Sequence, residues 1–222
     1  MQIIVGSVGL LLFASVALAQ QPPVPVEQEP HHHVVLQNDF VLVMRVTVPP
    51  GESTLYHTHS HDRASVGLSD STITQQKSGE AEGPRQTTKP GTVSASTLGD
   101  VPYTHRVNNV GSGPFDVIDV EFLQRPQQSS TPAAAEVAAE NPSARVYRWV
   151  LAPGAVSSMH AHQRPYLIVA ATTMMLKMTT PDGKSFTHEI KAGDFHWVDS
   201  KVTHTLANEG TTEGQIVEIE LK

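Results

Sequence analysis

Gly51-Glu52-Ser53-Thr54-Leu55-Tyr56-His57-Thr58-His59 and Gly154-Ala155-Val156-Ser157-Ser158-Met159-His160-Ala161-His162 share one pattern: a glycine, five residues, then His-x-His. A third histidine follows each, four residues before an asparagine: His105 with Asn109, and His204 with Asn208. Six of the 12 histidines fall in these slots. The flanks repeat as well, in Arg45 and Arg148, Pro50-Gly51 and Pro153-Gly154, Gly91 and Gly193, and the endings Asp119-Val120-Glu121 and Glu218-Ile219-Glu220. The offset is 103 at the first motif and 99 at the second, so the first copy carries about four extra residues between its motifs. The chain is an internal duplication.

Strand geometry gives His-x-His its meaning. Alternate residues of a strand share a face, so His57 with His59, and His160 with His162, present two imidazoles side by side. A third imidazole from a distant strand then completes a metal site. Neutral histidine nitrogen binds Zn, Fe, Cu and Ni, and three such ligands leave coordination positions open. The composition fits short strands: 16 Pro and 15 Gly, many Val and Thr, and few long helical periodicities.

The G-x5-H-x-H and H-x3-N segments of both halves resemble the cupin superfamily in its two-domain, bicupin form. The resemblance covers residues 31–123 and 142–222. It implies an all-β fold of two tandem antiparallel jelly-roll barrels, each with its metal inside. Gly193 precedes His204 by eleven residues, as the family pattern expects, whereas Gly91 precedes His105 by fourteen. The C-terminal copy is the cleaner match, so His160, His162 and His204 are expected to hold the main metal and His57, His59 and His105 a second one. In the family a glutamate usually stands four residues after the second histidine. Here those positions are Arg63 and Tyr166, which implies three-histidine centres in both copies. Arginine beside a dication is electrostatically unfavourable. Arg63 therefore turns away, pairs with an acid such as Asp62, or anchors an anionic ligand, while Tyr166 is placed to donate a hydrogen bond to something held by the metal. Both are candidate substrate-binding residues.

The rest of the chain bounds the function. A net charge of −7 and no Lys/Arg run argue against nucleic acid as a partner. With no cysteine, neither disulfides nor thiolate chemistry contributes. Residues 3–18 are almost wholly apolar and end in Ala17-Leu18-Ala19 before Gln20, the pattern of a cleaved signal peptide over 1–19. A secreted or periplasmic protein without stable membrane insertion follows as the expectation. Residues 20–30 are Pro-rich and read as disordered, 78–89 as a long polar loop, and 124–141 as a linker with a short helix over 133–139. His31-His32-His33 reads as a solvated segment and Asn109 and Asn208 as turn residues.

Three imidazoles on a divalent ion (Mn, Fe, Zn, Ni and Cu are not told apart) support Lewis-acid or redox chemistry. The leading expectation is a metal-dependent enzyme of the oxygenase, lyase or isomerase type, acting on a small molecule. A non-catalytic metal- or ligand-binding module is the alternative, and a purely structural duplication a third. The sequence is compatible with a homo-oligomer. Fold alone does not choose among these.

Overall fold

A computed structural model describes residues 22–124, 131–134 and 136–222; the expected signal peptide lies outside them. The fold is nearly all β. In the first copy one sheet joins β2 (His32–Gln37), β3 (Val41–Val48), β10 (Phe115–Phe122), β5 (Arg63–Gly67) and β8 (Val93–Ser96) in that order. The facing sheet joins β1 (Val24–Pro25), β4 (His57–His59), β9 (Tyr103–Asn109), β6 (Ser71–Lys77) and β7 (Gln86–Thr88). The second copy repeats this order. Its first sheet runs β11 (Ala139–Glu140), β12 (Ala144–Leu151), β19 (Gly214–Leu221), β14 (Tyr166–Ala170) and β17 (Phe195–Val198). Its second runs β13 (His160–His162), β18 (Val202–Asn208), β15 (Met174–Thr179) and β16 (Ser185–Ile190). Apart from the short parallel contact of β1 with β4, the strand pairs are antiparallel, and the architecture is two tandem jelly rolls. Among the described residues no helix is long and apolar enough to cross a membrane.

The two copies stack through their first sheets, and the side-chain alternation of those strands follows from it. Val41 and Val43 of β3 and Ile118, Val120 and Phe122 of β10 enter a core shared with Ala144, Val146, Leu167, Val169, Val217 and Ile219 of the second copy. The intervening residues point into their own jelly roll: Met44, Val46 and Val117 in the first copy, Leu151, Tyr166, Ile168 and Ile216 in the second. Strands buried on both faces need apolar or fully partnered residues at every position. Asp119, Glu121, Glu218 and Glu220 are accordingly buried acids.

The repeated glycines mark the contact between copies. Gly91, at φ +78°, lies against Arg148 and Gln215 of the second copy, where an added Cβ would come within 2.0 Å of the Gln215 Oε1. Gly193, at φ +88°, lies in the reciprocal place against Arg45 and Leu68. Positive φ favours glycine at both positions, and side chains of the other copy occupy the space a Cβ would take. Asn109 and Asn208 are the turn residues expected, each donating to a carbonyl of the strand before its glycine turn (Val48, Leu151) and accepting from the next turn's amide.

Three segments differ from the sequence expectation. Residues 22–30 are ordered, not free: Val24 pairs with His57, Val26 is buried, and the carboxylate of Glu29 is enclosed and accepts from the Leu55 amide. Composition missed the few residues that tie this Pro-rich stretch down. Of the stretch expected to be helical, the described residues 133, 134 and 136–138 are not, Ala139–Glu140 is a strand paired with Val146 and Arg145, and Asn141 then bridges the copies by donating to the carbonyls of Arg63 and Ser96. The polar stretch 78–89 ends in edge strand β7.

Candidate metal centres

Strand pairing places the third histidine. His57 lies directly across from His105 in the β4–β9 register, and His160 across from His204 in β13–β18. Cross-strand neighbours have Cβ atoms about 5 Å apart, so each His-x-His meets its partner inside a jelly roll. All six rings are buried. The six residues picked out by spacing form two clusters, one in each copy.

The second cluster departs from the three-histidine expectation. Potential ligand atoms of His160, His162, His204 and Glu218 lie within 4.8 Å of one another. Glu218 comes from the last strand, β19, and reaches the centre because its neighbours Val217 and Ile219 face the shared core. Its Oε2 is 3.0 Å from His160 Nε2, and its Oε1 is 3.0 Å from His204 Nε2 and 3.4 Å from His162 Nε2. The Nε2 atoms of His162 and His204, and Glu218 Oε1, are buried without a hydrogen bond. Such orphaned buried atoms call for a partner, and a divalent ion among these four groups would supply one. Burial would raise the Glu218 pKa, but the three imidazoles hold it well below the carboxylate range. Burial likewise opposes charge on His162, yet Glu218 and Glu220 together push it up to about 9.

The first cluster, His57, His59 and His105, has no such carboxylate. The Nε2 atoms of His59 and His105 face each other at 3.2 Å, and His57 Nε2 is buried without a partner. His57 Nδ1 donates to the Leu55 carbonyl at 3.0 Å, as His160 Nδ1 does to Ser158 at 2.9 Å. A carbonyl only accepts, so each Nε2 is left bare toward the centre. Glu121 accepts from His59 Nδ1 at 2.8 Å and from His61 Nδ1 at 3.0 Å, in the manner of an outer partner that orients a ligand. At the position of Glu218 stands Asp119, one methylene shorter and 3.4 Å from the Arg63 guanidinium. Arg63 thus pairs with Asp119, not with Asp62, which accepts from the Leu98 amide and the Ser143 hydroxyl.

Surroundings separate the two clusters further. A cavity of about 80 Å³ is lined by His57, His59, His105, Arg63 and Asp119. It shares seven residues, among them Arg63, Gln75, Ile73 and Phe115, with an outer cavity of about 610 Å³ that also carries Lys77 and Tyr103. The comparable hollow of the second copy, about 560 Å³, is lined by Ile168, Leu176, Met178 and Phe186 together with His188 and Glu189, and by none of its four cluster residues. Tyr166 lies flat on His162 at 3.8 Å, and Trp149 stacks on His160 at 4.6 Å while its Nε1 donates to Glu218. Tyr166 fills space beside the cluster and is fully buried, whereas Arg63 faces a cavity.

The two environments give the metal-free protein opposite acid and alkaline weaknesses. Burial, with Arg63 and the neighbouring rings, lowers His57 to about 4, His105 to about 2 and His59 further still. The unfolded chain titrates near 6.5, so between about 4 and 6.5 it binds more protons than the native state, and stability drains as the pH falls through that window. His162 has the opposite sign: its contribution is complete below about 6.5 and is lost as the pH rises through about 9. Melting of chelator-treated protein should therefore peak near pH 6.5, and a flat profile from pH 4.5 to 6.5 would contradict the burial argument.

No family model matches the chain. The β-alanine degradation protein BauB of Pseudomonas aeruginosa is 32% identical over 98 residues, which is 44% of this chain and 97% of BauB. Among solved structures, AerE from Microcystis aeruginosa is similar at a TM-score of 0.61 and 14% identity, over 90% of this chain and 98% of its own. A cupin 2 conserved barrel domain protein from Leptotrichia buccalis gives 0.52 at 12% identity over 86% and 88%. Salicylate 1,2-dioxygenase from Pseudaminobacter salicylatoxidans gives 0.54 at 13% over 82% and 71%. At these identities the structural likenesses are of fold.

Proposed function

We propose, for a chain that belongs to the cupin superfamily as a two-domain member, that it is a metal-dependent enzyme acting on a small carboxylate in its N-terminal copy. The observation that carries this reading is the meeting of two cavities at Arg63, beside three inward-facing imidazoles. His57, His59 and His105 would hold a divalent ion, which would supply Lewis-acid chemistry or, if redox-active, electron transfer. That ion and Arg63 would repel each other in a low-dielectric interior; Asp119, already paired with Arg63, offsets part of this, and a bound anion would offset more. A carboxylate fits, because guanidinium offers it paired N–H donors. Salicylate and β-alanine, in the names of two similar proteins, are both carboxylates. The C-terminal ion, held by His160, His162, His204 and Glu218, has a fuller protein shell behind Tyr166 and Trp149, and its role is structural. This reverses the expectation that the cleaner motif carries the chemistry.

Small carboxylates incubated with metal-loaded protein should give a product that disappears with His57→Ala plus His59→Ala. Saturable carboxylate binding with no metal-dependent product from a broad panel would favour the non-catalytic binding module instead. The apolar run at 3–18 supports export, with a secreted or periplasmic mature chain. N-terminal sequencing of protein recovered outside the cytoplasm should begin at or beside Gln20; an intact Met1 terminus in membranes would mean a tether.

A further inference from the structure

The N-terminal cavity has a fourth histidine in its wall, outside the metal motif. His32 enters from β2 opposite Val46 and lines the 80 Å³ cavity with Arg63. Its ring lies 4.5 Å from that of His57. Behind it is Glu29, whose side chain is 0% exposed against 4% for His32. Glu29 Oε2 accepts from His32 Nδ1 at 2.5 Å and from the His31 amide at 2.9 Å, and Oε1 accepts from the Leu55 amide at 3.0 Å. An ionised carboxylate accepts only, so Nδ1 carries a hydrogen toward Glu29 and Nε2 is the ring atom left to meet a ligand. Burial works against ionisation of Glu29, but these donors hold its pKa below the usual carboxylate value. Among the described residues the second copy has no such pair: Trp149 replaces Val46 there and packs on His160.

We propose that the Glu29–His32 pair makes this cavity selective for hydroxycarboxylates. The carboxylate of the ligand meets Arg63, and His32 Nε2 hydrogen-bonds the ligand's hydroxyl, a group that both donates and accepts. A neutral hydroxyl is favoured over an ammonium at this position, since Arg63 already places a cation in the same small space. His32 acts as a specificity-determining residue, and its orientation comes from Glu29.

The inference rests on the reading of Arg63 as the anion anchor, and the test separates the two. Glycolate and acetate differ by the hydroxyl alone and serve as probes, titrated calorimetrically into the purified full-length protein. Glycolate should bind about tenfold tighter than acetate, the discrimination expected of one buried hydrogen bond. His32→Phe should bring the ratio close to one while leaving acetate affinity and metal content in place. Arg63→Met should weaken both acids. In case His32→Phe does not fold, nitrogen-15 spectra of the wild-type ring give a second readout: the His32 Nε2 signal should move with glycolate and not with acetate. Binding of both acids that ignores Arg63 overturns the anchor reading. Arg63-dependent binding with equal affinities, or a ratio that survives His32→Phe, overturns the His32 inference alone.

Discussion

Glu218→Gln is expected to empty the C-terminal centre of metal and leave the N-terminal one loaded. Gln keeps the shape of the side chain but replaces the one anionic member of the cluster with a neutral amide, so the ion would be left with three imidazoles and a carbonyl. Loss of even an outer partner costs a metal site about 10- to 100-fold in affinity, so loss of this direct ligand should reach the upper end or exceed it. Metal analysis after dialysis should fall from two ions per chain toward one. A saturating ion at about 100 times its dissociation constant stabilises the fold by about 2.7 kcal/mol, so the variant should also lose most of the melting increment that added metal gives this copy. Two ions retained at unchanged affinity would make Glu218 a compensating charge and not a ligand.

Why Glu218 escaped the motif while its three histidines did not is a matter of which faces of a strand are buried. His-x-His is informative by itself, since period-2 geometry pairs the rings whatever surrounds them. Glu218-Ile219-Glu220 shows the same period, but on a half-exposed strand acids point to water and the apolar residue points in. Stacking of the two copies inverts that: Ile219 enters the shared core, and Glu218 and Glu220 face the jelly-roll interior. The available signal was positional, because Glu218 stands 99 residues after Asp119, the same offset that relates His204 to His105. Part of the difference between the two hollows is also legible when the copies are aligned at offset 103, where Ser65 corresponds to Ile168 and Gln75 to Met178. Composition misled at residues 22–30, since Val26 and Glu29 suffice to anchor a stretch that reads as disordered. Arg63 and Tyr166 look equivalent by position, and only packing tells the cavity residue from the filler.

Arg63→Met should move two affinities of the N-terminal centre in opposite directions. Carboxylate binding should weaken by about 30- to 150-fold, equivalent to the roughly 2–3 kcal/mol of a buried charge-assisted contact. Metal binding at His57, His59 and His105 should strengthen, because the substitution removes a fixed cation beside the ion and frees Asp119, 3.4 Å from that guanidinium in the native protein. A general loss of structure would weaken both, so the opposed signs separate electrostatics from misfolding. Tyr166→Phe is the matched control. Its ring stacks on His162 in the other copy, away from the cavity that Arg63 faces, and the substitution should leave carboxylate affinity unchanged. Carboxylate affinity unaltered by Arg63→Met would remove the reason for assigning the chemistry to the N-terminal copy, and the four-ligand C-terminal centre would then be the one to test for turnover.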